Sequence, residues 1–401
     1  MTMLSSQLGY AAIDADNHYY ETPDCFTRHI EAEYRDKAIT TRRRDDGSWE
    51  VKIGSTPFTF FDPKFDSTNP PGSLLSILHA KDADPDFKWS DSYSADNMRP
   101  EYKDRELRLA LMDVQGVEAT VMFPSFAVAV PAHMVDDPDQ FYANFRAFNR
   151  WLEDEWGYGR DGRIFSTPML SLLDVEQAVA ELDRVLELGA RIIAVPPGPI
   201  GNGRSPADPM YDAFWGRMND AGAILALHLG DRQYGEVSAL WGEPEDPPLR
   251  EMTAFQFAFT QGDRAVMETF GQLIYGNLFG RFPDLRVLSI ENGSLWVAYL
   301  LKLMDTKKGM GRYGRWIGGR PKGRPSETFK QHCWVAPYPE DDIDDLVEVL
   351  GVDRVLFGSD FPHPEGMVEP VRFAELMVRR TPAEVKRVMR DNAAELLGLQ
   401  P

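Results

Sequence analysis

Eight short runs rich in Val, Ile, Leu and Ala recur along this 401-residue chain, each followed by a segment long enough for a helix. The runs are Ala11–Asp16, Val117–Pro124, Phe165–Leu172, Ala190–Val195, Ile224–His228, Arg286–Ile290, Trp334–Ala336 and Arg354–Phe357. Runs that are apolar on both faces suit buried strands of a parallel sheet, and parallel strands need helical crossovers. Helical spacing predicts those crossovers at Glu101–Gln115, Pro138–Trp156, Val175–Leu188, Met210–Ala221, Gly262–Phe282, Ser294–Met304, Asp341–Leu350 and Val368–Arg379. Asp174 stands before the series Val175, Ala178, Val179, Leu182, Val185 and Leu186, and Gly189 follows it, which is a capped helix with a glycine stop. A last helix over Pro382–Leu397 packs outside. The alternation predicts an α/β fold, a closed (β/α)8 TIM barrel over residues 1–401 as one unit, although a doubly wound open sheet would alternate in the same way.

Two breaks distort the pattern, and both fall between a strand and its helix. Residues 22–100 separate the first strand from its helix, and Asp231–Gln261 follow the fifth strand. Usual βα loops run about 2–6 residues. Within the first insertion, Trp49–Ile53 and Pro57–Phe61 read as a hairpin over Gly54-Ser55, and Arg42-Arg43-Arg44 followed by Asp45-Asp46 reads as a solvated turn. Loops after barrel strands lie on the catalytic face, so the insertions read either as a lid or as an interface between copies.

Charge narrows the partners. Forty-three Lys and Arg against 63 Asp and Glu leave a formal charge of −20, which disfavours nucleic acid and anionic membrane surfaces as partners. The longest apolar stretch, Val117–Val135, is interrupted by Glu118, Pro124, Pro131 and His133 and is no membrane span. Two cysteines, Cys25 and Cys333, and a start without a basic leader place the expectation in the cytoplasm. A small-molecule substrate and a homodimer or higher homo-oligomer complete it.

The polar residues that end the apolar runs carry the chemistry. The first run ends Asp14-Ala15-Asp16-Asn17-His18, and alternation puts Asp14, Asp16 and His18 on one face. The fifth ends in His228, the sixth continues into Glu291-Asn292-Gly293, and the eighth into Gly358-Ser359-Asp360-Phe361-Pro362-His363. Imidazole together with carboxylate suits a Zn or Mn ion, and Asp16, His18, His228 and Asp360 would supply four ligands. His363 is a candidate for contact with the substrate, whereas His133, His79, His29 and His332 have loop, turn or polar surroundings.

These segments resemble the amidohydrolase superfamily, in the branch that contains aminocarboxymuconate semialdehyde decarboxylase and aromatic acid decarboxylases. The resemblance rests on Asp16-Asn17-His18, on His228 and above all on Gly358-Ser359-Asp360-Phe361-Pro362-His363. It implies a metal-dependent barrel with one divalent ion, since the fourth strand, Arg191-Ile192-Ile193-Ala194-Val195, offers no bridging lysine. Where the branch often carries His-Gly-Gly on strand six, this chain reads Glu291-Asn292-Gly293, so Glu291 stands in the place of a proposed proton carrier. The expected function is decarboxylation of an aromatic or cyclic carboxylic acid, with Asp360 or Glu291 delivering the proton. Hydrolysis of a lactone or cyclic amide by the same residues is the alternative.

Overall fold

The computed structural model describes residues 8–84, 86–88, 92–230, 234–260 and 263–400. The expectation about the leader concerns residues 1–7, which lie outside the described residues, as do the ends of the second insertion at 231–233 and 261 and the first residue of the predicted helix, 262. Strand β1 (Ala12–Tyr19) precedes an antiparallel trio, β2 (Ile39–Arg43), β3 (Trp49–Ile53) and β4 (Thr56–Pro57). The remaining strands are parallel: β5 (Val117–Pro124), β6 (Ile164–Ser166), β7 (Ile192–Ala194), β8 (Ile224–His228), β9 (Arg286–Ile290) and β10 (Cys333–Val335). They form two ladders, β1-β5-β6 and β7-β8-β9-β10.

Single bridges join the ladders into a ring. Met169 meets Ala194 between β6 and β7, Val335 meets Val355 beyond β10, and Asn17 meets Phe361 beside β1. The result is the expected α/β barrel with eight parallel positions, the eighth irregular. The predicted strand Arg354–Phe357 has no ladder of its own; Arg354 ends a 3-10 turn, and Leu356 N donates to Val335 O while Ala15 N donates to Phe357 O. The third run is cut to Ile164–Ser166, because Pro168 has no N–H to give a ladder. Its carbonyl still accepts from Ala194 N at 3.0 Å.

Side chains replace the missing ladder at the eighth position. β1 shifts register between Asp14 and Asn17, and such a bulge re-aims side chains. Asp14 therefore does not share the function of Asp16 and His18. It is fully buried and accepts from Ser359 N at 3.0 Å, Ser359 Oγ at 2.5 Å, Asn17 Nδ2 at 3.0 Å and Asp16 N at 3.2 Å.

The crossover helices follow their caps. Asp174 accepts from Gln177 N at 2.9 Å, and the helix Val175–Glu187 buries Ala178, Leu182 and Val185. Asp342 accepts from Asp345 N at 2.8 Å to start Ile343–Leu350. The predicted helix 262–282 is instead two, Asp263–Tyr275 and Leu278–Arg281, broken where Asn277 takes φ 56°. Val368–Arg379 holds a 3-10 stretch, Pro370–Leu376, rather than an α-helix, and a π-turn at Arg387–Asp391 interrupts the last helix. Helices Leu74–Ala83 and Pro325–His332 had no sequence counterpart. Nor did β2: Arg42 and Arg43 lie on it, against Glu50 and Asp66, rather than in a solvated turn. The hairpin from β3 ends at Pro57, after which Phe58 and Phe60 turn inward onto Phe126 and His133. No helix among the described residues is long and apolar enough to cross a membrane.

Replacing Asp14 with Leu strands two buried donors of Ser359 and the amide of Asn17. We expect a loss of roughly 2–4 kcal/mol of stability, measured by urea denaturation; a loss below about 0.5 kcal/mol, the size of an ordinary surface change, would show that the seam does not depend on it.

Candidate metal centre

At the carboxyl ends of the strands, the sequence candidates meet in one buried cluster. β1 delivers Asp16 and His18, β8 ends in His228, and the turn after β9 brings Glu291. His18 Nε2 lies 3.4 Å from Asp16 Oδ1, 3.3 Å from His228 Nε2 and 3.6 Å from Glu291 Oε2. His228 Nε2 lies 3.6 Å from Asp16 Oδ1 and 3.0 Å from Glu291 Oε2. Metal bonds of about 2.0–2.2 Å put neighbouring ligand atoms roughly 3.0–3.6 Å apart, so these separations match the edges of a coordination sphere. Asp16 Oδ1 is buried with no hydrogen-bond partner, as expected of an atom reserved for a cation. His228 Nδ1 donates to Leu229 O at 2.6 Å, which leaves the Nε2 lone pair facing the cluster.

Asp360 lies at the edge of this sphere. Its Oδ1 is 3.3 Å from His18 Nε2 and 2.7 Å from His363 Nδ1. The His363 ring lies 4.0 Å from that of His18, and its Nε2 is 2.8 Å from Ser125 Oγ. Ser125 has one hydroxyl proton and donates it to Tyr19 O at 2.8 Å, so it accepts from His363 Nε2–H. The remaining proton of the pair then lies between His363 Nδ1 and Asp360. Burial, reinforced by Glu291, Glu365 and Asp16, pushes the Asp360 carboxyl well above the usual carboxylate range.

Backbone geometry explains why the motif residues stand where they do. Glu291 and Asp360 both occupy the left-handed region, with φ 55° and 53°, which costs energy for a residue bearing a Cβ and turns each carboxylate sharply off its strand. Gly358 is required because a Cβ there would lie 2.7 Å from the Cβ of Asp16. Behind His18, the fully buried Arg108 donates to the His18 carbonyl at 2.9 Å and to Asn17 Oδ1, among the rings of Tyr102, Trp156 and Phe361. Burial lowers its pKa to about 10. Neither Arg108 nor Ser125 was singled out from the sequence. Ser125 follows the carboxyl end of a strand and was legible by that rule, whereas Arg108 reads as one more helix charge. Among the aromatic residues of the two insertions, Phe58 and Phe60 are buried, whereas Trp241 and Phe257 are exposed.

The cluster demands positive charge. Burial alone would push the Glu291 carboxyl up, yet His228 and His18 hold it below the usual range. Burial pulls the His228 imidazole down, but Glu291 and Asp16 outweigh it and raise its pKa to about 10. Without a cation, His228 therefore carries a proton across the neutral range, and an ion bound there would have to displace it. Affinity for Mn²⁺ or Zn²⁺ should rise about tenfold per pH unit between about pH 6 and 9, where one proton is exchanged. Calorimetry in buffers of different ionisation enthalpy reads that proton directly; pH-independent affinity without proton release would remove the linkage.

Known proteins share this arrangement of the chain. An amidohydrolase from Mycobacterium avium subsp. paratuberculosis K-10 is 34% identical and superposes with a TM-score of 0.84, covering 97% of this chain and 99% of that one. A dihydroxybenzoic acid decarboxylase from Polaromonas sp. JS666, solved with bound manganese and the inhibitor 2-nitroresorcinol, shares the fold at 16% identity, a TM-score of 0.61 and 97% coverage of both chains. In Dictyostelium discoideum, 2-amino-3-carboxymuconate-6-semialdehyde decarboxylase is 23% identical over 255 residues, 60% of this chain; the match spans 62% of that relative's length. The amidohydrolase family pattern fits residues 13–399. The chain belongs to the amidohydrolase family.

Proposed function

We propose that this protein is a metal-dependent decarboxylase of an aromatic or cyclic carboxylic acid, built around a single divalent ion. The observation that carries the reading is the pairing, at one end of the barrel, of a buried ligand cluster with a proton-bearing Asp360–His363 couple. Asp16, His18, His228 and Glu291 would hold the ion, with Asp360 at the border of the cluster. Three carboxylates beside two imidazoles favour manganese over zinc. When bound, the ion would hold the substrate carboxylate and a neighbouring oxygen and offset the negative charge that develops as carbon dioxide leaves.

The chain's own residues supply the rest. As the carbon–carbon bond breaks, its electron pair stays on the ring or α carbon, and Asp360 delivers a proton there. Delivery leaves Asp360 ionised beside a neutral His363 whose ring Ser125 fixes, and a proton taken up from solvent restores the couple across the 2.7 Å contact. Glu291, held ionised by His228 and His18, is suited to the cation rather than to proton delivery. The described residues of 22–100 would form a lid over this cluster within a single barrel unit. They reach three strand-end loops: Thr68 bonds Tyr20, Phe58 packs on Phe126, and Leu74 N donates to Pro364 O. Decarboxylases of related fold or sequence, one of them manganese-bound, support the reading.

A second reading is hydrolysis of a lactone or cyclic amide, favoured by the 34% identical amidohydrolase. Mn-loaded protein offered aromatic and cyclic carboxylates should release carbon dioxide without net acid release. Acid release from a lactone or cyclic amide, without carbon dioxide, would transfer the case to the hydrolase. Asp360→Asn should retain the ion by elemental analysis yet lose about 10²–10⁴-fold in kcat, the usual worth of a positioned acid; unchanged kcat would remove Asp360 as the proton donor.

A further inference from the structure

Net charge conceals one region of opposite sign. Residues 302–330 carry nine Lys and Arg against two acids, Asp305 and Glu327, in a chain whose total is −20. Asp305 is already taken, by Arg324 at 2.9 Å and by Ser326. Arg320 and Lys322 have no carboxylate partner among the described residues. Lys308 Nζ donates to the carbonyls of Pro321 and Gly323, at 2.8 and 2.5 Å, and so clamps the loop that carries them. Burial and the nearby Arg320 lower the Lys308 ammonium against the opposing pull of Asp305.

This loop borders a cavity of about 240 Å³, whose walls include Ile274, Phe279 and His332. His332 Nδ1 donates to Leu285 O at 3.0 Å, just before β9 begins, so the cavity lies at the amino ends of β9 and β10. The metal cluster lies at the opposite ends of the strands. The His332 ring stacks on Phe279 at 4.5 Å and 21°, which presents a flat apolar wall. The volume falls below the roughly 300–1,000 Å³ of pockets for drug-sized ligands, so it would take a charged group and one flat ring system and leave the rest of a ligand outside.

Both cations are exposed on the rim of the cavity, Arg320 lying over the Trp316 ring, and together they leave a local positive field that suits an anion in a chain with acids in excess. Two cations match a dianion. A phosphate monoester carries about −1.5 to −2 charges at pH 7 and three acceptor oxygens, whereas a carboxylate carries one charge. We propose that this cavity binds a small phosphate monoester bearing a flat ring, with the phosphate between Arg320 and Lys322 and the ring against the Phe279 and His332 wall.

Isothermal titration at low salt with adenosine 5′-monophosphate, inorganic phosphate and adenosine as probes tests it. The monophosphate should bind saturably and more tightly than phosphate, and adenosine most weakly. The paired change Arg320→Ala with Lys322→Ala should weaken the monophosphate at least about tenfold, as should about 0.5 M NaCl through screening, with circular dichroism and metal content unchanged. Asp16→Ala, which disables the metal cluster, should leave this binding intact. No saturable binding of the monophosphate at millimolar concentration, equal binding by the paired variant, equal binding of adenosine, or loss with Asp16→Ala would each overturn the proposal.

Discussion

The barrel closes on a buried carboxylate. Where the eighth strand should pair with the first, the backbone offers scattered bonds, and Asp14 supplies what the ladder lacks by gathering Ser359, Asn17 and Asp16 onto one side chain. Burial pushes this carboxyl up to about 7, against the pull of its hydrogen bonds from Ser359 and Asn17, so the seam is held at a real electrostatic cost. The metal cluster depends on that seam. Asp16 and His18 ride on one of its edges and Asp360 on the other, and Gly358 lets those edges approach.

Much of this was legible because strand-end position is a strong rule in a barrel. Asp16, His18, His228 and Asp360 were read from their place after apolar runs, and the chain brings them together there. The geometry of the carboxylates was less legible. Nothing in Glu291-Asn292-Gly293 announces that Glu291 takes a left-handed backbone and turns its carboxylate toward His228, because that conformation is imposed from outside. Tyr338 Oη donates to the Glu291 carbonyl at 2.8 Å, and Asn292 Nδ2 reaches Leu227 O at 2.8 Å. Asp14 was misread for the opposite reason: alternation applied too strictly placed it with Asp16, and a bulge moved it. The antiparallel trio was half seen, since a basic run with acids beside it reads equally as a turn or as an exposed strand.

Charge acts differently at three scales in this molecule. Across the whole chain the acidic excess governs which macromolecules approach. Within the cluster, a few carboxylates against two imidazoles create a demand for positive charge, and they raise the pKa of both imidazoles. Along residues 302–330 the sign reverses locally, which a total for the chain averages away.

The seam also sets an order of events during synthesis. The bond from Ser359 to Asp14 spans 345 residues, and the ring cannot close until about nine-tenths of the chain has been made. The first strand, with its buried Asp14, Asp16 and His18, pairs with β5 on one side and keeps its other edge open while the parallel strands β6 to β10 are made. Loop closure over such a separation is slow, and an open strand edge is vulnerable to wrong partners in the interval. The same polar residues that later serve the site discourage that strand from aggregating while it waits.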